Sequence, residues 1–61
     1  MATIKEVLIR RDGMTSTEAE ELINEAKEQL SYYLESGQMI EAEDICSEYF
    51  GLEPDYIDEL F

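Results

Sequence analysis

The sequence predicts an all-α domain. The apolar residues, 44% of the chain, fall at helical spacings, and one stretch, residues 14–37, carries that period for more than twenty residues. The same stretch opens on a capping signal and closes on a glycine. These observations describe a single small domain, residues 1–61, built as an N-terminal αα-hairpin around a long central helix, with two short helices at the C-terminal end.

Residues 3–11, Thr-Ile-Lys-Glu-Val-Leu-Ile-Arg-Arg, are expected to form the first helix, capped by Thr3. Ile4, Val7, Leu8 and Arg11 share one side, and Arg10 and Arg11 occupy the last turn, where a cation suits the helix dipole. The β-branched content would also be compatible with a strand. Asp12-Gly13 is a turn signal leading directly into the next cap, so residues 3–34 read as a hairpin. Arg10 and Arg11 are expected to pair with acids on the central helix.

In the central helix, Thr15 followed by Glu18 is a capping box: the threonine oxygen accepts from a backbone N–H, and the glutamate reaches back to the cap's own N–H. Met14, just outside, can staple onto Ala19. Ala19, Leu22, Ile23, Ala26, Leu30, Tyr33 and Leu34 form the inward stripe. Glu18, Glu21, Glu25 and Glu28 lie opposite. Tyr32 adjoins Tyr33 but points about 100° away from it, at or beyond the edge of the stripe. Ser36-Gly37 ends the helix.

Residues 38–50 make a third helical segment whose inward face is Ala42, Ile45, Cys46, Tyr49 and Phe50, with Glu41, Glu43, Asp44 and Glu48 outside. Gly51 ends it. Pro54 suits the first turn of a terminal helix over residues 54–60, with Tyr56, Ile57, Leu60 and Phe61 facing inward. Leu60-Phe61 allows a second outcome, an apolar knob offered to a partner.

Charge separates this chain from most function classes. Sixteen acidic residues face four basic ones, for a net charge of −12. Residues 1–11 carry Lys5, Arg10 and Arg11 against Glu6, and residues 12–61 carry fifteen acids against Lys27 alone. Such a surface repels nucleic acid and anionic membrane and favours cationic partners. Direct nucleic-acid binding needs Lys and Arg on phosphates, and only Lys5, Arg10 and Arg11 are clustered, so it is not expected. There is no histidine, and the single cysteine, Cys46, can form neither an intramolecular disulfide nor a structural zinc site. Cys46 falls on an apolar face, where a thiol is inert. The carboxylates lie on helix exteriors, and none follows the spacing of a calcium loop. The expectation is therefore a non-enzymatic protein with no cofactor and no metal. No apolar run approaches eighteen residues and no signal-peptide pattern is present, so a cytoplasmic location is expected and a membrane one is not.

The run Arg10-Arg11-Asp12-Gly13-Met14-Thr15 with Glu18-Ala19, and the later Tyr49-Phe50-Gly51-Leu52-Glu53-Pro54-Asp55-Tyr56-Ile57, resemble small acidic proteins of bacterial and phage genomes. The resemblance covers most of the chain but rests on turns and core positions. It implies an accessory protein carried on mobile DNA and transfers no functional residues. The sequence thus points to a protein that works by binding another protein, through a candidate set of Glu18, Glu21, Glu25, Glu28, Tyr32, Glu41, Asp44, Glu48 and Phe61. Two narrower readings stay open. One is a nucleic-acid mimic whose helix carboxylates stand in for phosphates in the groove of a basic protein. The other is a homo-oligomer joined around Tyr32, Leu34 and Phe61.

Overall fold

The computed structural model describes residues 2–61. Its elements are α1 (Ile4–Asp12), α2 (Ser16–Glu35), α3 (Met39–Glu43), α4 (Ile45–Phe50) and a C-terminal 3-10 helix (Pro54–Leu60). No strand occurs among the described residues, which settles the first segment as helix. The Thr3 hydroxyl accepts from the Glu6 N–H at 3.2 Å and so caps α1 as expected.

At the start of α2 the capping box is complete. The Thr15 N–H donates to Glu18 Oε1 at 3.0 Å, and the Glu18 N–H donates to Thr15 Oγ1 at 3.2 Å. The far end closes on Gly37, whose φ of 75° is a left-handed conformation that costs glycine little. The Gln38 N–H reaches the Tyr33 carbonyl at 2.8 Å and the Gly37 N–H the Leu34 carbonyl at 3.3 Å, the paired bonds of a Schellman turn. Between these stops, twenty residues at 1.5 Å each give a rod about 30 Å long. That rod sets the longest dimension of a molecule measuring 33 × 19 × 16 Å.

Every other element packs on α2. The core holds Ile4 and Leu8 from α1, Ala19, Ala26 and Leu30 from α2, Ala42, Ile45, Cys46 and Phe50 from α3 and α4, and Leu60 from the 3-10 helix. Met14, Leu22, Ile23, Tyr33, Tyr49, Leu52, Tyr56 and Ile57 pack around it, half-buried. Three of the ten buried residues are alanines, which let neighbouring backbones approach where a larger side chain would hold them apart.

The structure departs from the sequence reading at four places. The third segment is two helices that meet at Asp44, whose φ of −88° and ψ of 0° lie at the edge of the right-handed helical region. Helical bonds run on both sides of it, from the Asp44 N–H to the Ile40 carbonyl and from the Glu48 N–H to the Asp44 carbonyl, and aspartate is a poor helix former. Leu34 lies outside the core at 38% exposure, because it sits in the last turn of α2 where the chain has already begun to turn away. Phe61, grouped with the inward residues but also offered as an exposed apolar knob, is 75% exposed while its neighbour Leu60 is buried. The terminal segment winds with three residues per turn, which lines Ile57 up with Leu60 and sends adjacent residues about 120° apart. Finally, Arg10 and Arg11 do not pair with α2. Arg11 makes a two-point bond to Asp12, Nε to Oδ1 and Nη2 to Oδ2, both at 2.9 Å. Its Nη2 also donates to the Phe50 carbonyl at the end of α4. Lys5 supplies the tie to α2 instead, through Glu20 at 2.7 Å. Arg11 stands beside Asp12 at the hairpin turn and within reach of a carbonyl that α4 leaves without a helical partner.

A second long-range contact holds the other end of α1. The Ile4 N–H, unpaired within its own helix, donates to Glu59 Oε1 at 3.0 Å. The chain's C-terminal half therefore grips α1 at both ends, an anion at its start and a carbonyl at its finish, in keeping with the helix dipole and with unsatisfied terminal groups.

Candidate functional site

All nine candidate residues are exposed. Within α2, Glu18, Glu21, Glu25, Glu28 and Tyr32 follow steps of three, four, three and four, so they form one line along the helix on the side away from the core. Tyr32 belongs to this line and not to the edge of the apolar stripe. It is 58% exposed, and its ring lies 6.1 Å from that of Tyr33, the residue that turns inward.

The line is not chemically uniform. Glu18 is committed to its own helix, and its hydrogen bonds with Thr15 hold its carboxyl below the usual carboxylate range. Glu21, Glu25 and Glu28 have no ion-pair partner among the described residues, where the two ion pairs are Lys5–Glu20 and Arg11–Asp12. An acid at the first turn suits the positive end of the helix dipole, whereas acids further along depend on solvent for stabilisation.

Glu41, Asp44 and Glu48 come from α3, the junction and α4. Of these elements, α3 and α4 both pack on α2. Burial pushes the Tyr49 phenol up, and Tyr33, Glu48 and Glu25 push it further. Phe61 sits apart, at the end of the 3-10 helix.

A shallow groove of about 280 Å³ that the sequence reading did not assemble lies along the 3-10 helix, lined by Glu53, Asp55, Tyr56, Asp58 and Glu59. Among the described residues no group of three or more His, Cys, Asp or Glu is arranged to hold a metal ion. Cys46 is fully buried, and burial, reinforced by the Glu59 carboxylate, raises its thiol pKa, which opposes formation of the reactive thiolate. Among the described residues no helix is long and apolar enough to cross a membrane.

Sequence reasoning also left Met39 and Ile40 unassigned, and both are strongly exposed at the start of α3. The signal was available for Ile40, which shares none of the three- and four-residue steps joining Ala42, Ile45, Cys46 and Tyr49, whereas Met39, three residues before Ala42, keeps that spacing and is exposed all the same. No protein-family model matches the chain, and no curated protein or solved structure matches it.

Proposed function

We propose that this is a non-enzymatic accessory protein that binds a basic protein partner through its acidic helical face. The observation that carries this reading is the line Glu21, Glu25, Glu28 and Tyr32 along the outer side of α2. Its three carboxylates lie about one helical turn apart, exposed and without cationic partners among the described residues, and the line ends in an exposed tyrosine. A row of like charges costs a helix stability, so an external cation would relieve it, and tyrosine is a common anchor in protein interfaces.

The test begins with a pull-down from lysate of the native host, eluted with a salt gradient and identified by mass spectrometry. It is then repeated with Glu21→Gln, Glu25→Gln and Glu28→Gln combined. Glu18 is kept, because its carboxylate serves the cap. The expected result is a basic protein released at moderate salt and lost with the triple variant. Retention indifferent to both salt and the substitutions would overturn the reading. A nucleic-acid-processing protein as the captured partner would identify the face as a phosphate mimic.

A further inference from the structure

Six large apolar side chains are exposed among the described residues: Tyr32, Met39, Ile40 and Phe61 strongly, Ile9 and Leu34 over little more than a third of their surface. Single exposed apolar residues are ordinary on a protein surface. Three of these six, however, fall within seven consecutive residues at the corner where α2 turns into α3. Ile40 is 73% exposed, Met39 56% and Leu34 38%. The Schellman bonds from Gln38 and Gly37 fold this corner tightly, so the three residues are presented by one short reversal of the chain. No side-chain hydrogen bond caps α3, so its first turn keeps backbone N–H groups without that support.

What covers this corner is indicated by charge. Lys27 is the last basic residue of the chain, and ten acidic residues follow it, from Glu28 to Glu59. Glu35 and Glu41 directly flank the corner in sequence and are exposed. A second copy would bring carboxylates against carboxylates, and an anionic lipid surface would be repelled in the same way. The complementary occupant has apolar side chains for the centre and cations for the rim. Methionine, flexible and polarisable, adapts well to such a guest.

We propose that the corner of Leu34, Met39 and Ile40 is a docking site for a basic amphipathic helix of the partner protein, with the Glu35 and Glu41 carboxylates meeting its lysines or arginines. This rests on the reading of the protein as an acidic binder of basic proteins, and adds where the apolar contact is made and what shape of segment fills it.

The test titrates the full, isotope-labelled chain with three synthetic peptides and follows backbone amide shifts. One is a leucine–lysine amphipathic helix, one a serine–lysine peptide of equal charge, and one a leucine–glutamate helix of equal apolar face. The expected result is binding of the leucine–lysine helix with shifts centred on residues 34–43. That binding should be at least about tenfold tighter than for either control, and weakened about tenfold by Met39→Ser with Ile40→Ser, as for anchors at an interface centre. Both substituted residues are exposed, and an unchanged amide spectrum of the free variant verifies its fold. Equal binding of the two lysine peptides, with shifts spread along the outer face of α2, would overturn the docking corner and leave the acidic-face reading standing. Failure of both lysine peptides to bind would overturn both. Self-association of the protein that Ile40→Ser abolishes would assign the corner to a second copy and overturn the proposal as well.

Discussion

Asp12 and Glu18 both do structural work at the hairpin turn, one bound to Arg11 and one to the Thr15 cap, and both have their pKa lowered from ordinary values of 3.8 and 4.5. The hydrogen bond from Arg11 is the main cause for Asp12, and the Thr15 backbone N–H for Glu18. A depressed folded-state pKa means the unfolded chain takes up protons first as the pH falls. The stability contributed is present above the unfolded value and is lost as pH drops through the folded one. Urea unfolding of Glu18→Gln should therefore show a shallower loss of stability than wild type between about pH 6 and pH 3, the carboxylate range. An identical slope would show that the cap carboxylate is not linked to folding. Cys46 gives the opposite expectation. Its raised pKa and complete burial predict that alkylation by iodoacetamide near neutral pH follows the rate of unfolding and is negligible in the folded protein. Rapid labelling under native conditions, measured by mass, would contradict the burial.

At the level of elements, α2 shows what periodicity conveys and what it does not. Leu30 and Leu34 are one turn apart on the same apparent stripe, yet Leu30 is 2% exposed and Leu34 38%. Leu30→Ala should cost about 2–5 kcal/mol, the range for emptying a packed leucine site. Leu34→Ala should cost less, about 1–2 kcal/mol, since more than a third of its surface stays in water after folding. Chemical denaturation of both variants measures the contrast, and equal losses would mean that Leu34 is packed. A domain of this size is stabilised by only about 3–9 kcal/mol, so Leu30→Ala threatens the fold itself. Local signals made both caps of the hairpin, the glycine stop of α2 and the inward faces of α1 and α2 legible in advance. They did not show the junction at Asp44, because Ala42, Ile45, Cys46 and Tyr49 keep helical spacing across it.

Over the whole molecule, net charge opposes compaction. A net charge of −12 is confined to a body 33 × 19 × 16 Å, and the two ion pairs among the described residues are exposed and therefore weak. The screening length falls to about 10 Å at 0.1 M salt, shorter than any dimension of the molecule. Raising sodium chloride from about 10 mM to about 150 mM should accordingly raise Tm, as repulsion is screened more than attraction is lost. A Tm that falls over this range, followed by circular dichroism, would show that Lys5–Glu20 and Arg11–Asp12 outweigh the repulsion. The concentration of the ten acids after Lys27 makes the C-terminal half the main source of that repulsion.

The sequence by itself determined the all-α class, the long central helix and its caps, the inert setting of Cys46 and the acidic outer line of α2. Each depends on residues within a few positions of one another, where hydrogen-bond reach and the helical period leave few alternatives. Tertiary structure alone decided that Glu59 caps α1 across fifty-five residues and that Arg11 reaches Phe50 across thirty-nine. It also decided that Lys5, not the arginine pair, ties the hairpin, and that Leu34, Met39, Ile40 and Phe61 are left outside the core. Burial and long-range pairing depend on which elements finally cover a face, and no local spacing encodes where an element distant along the chain will come to rest.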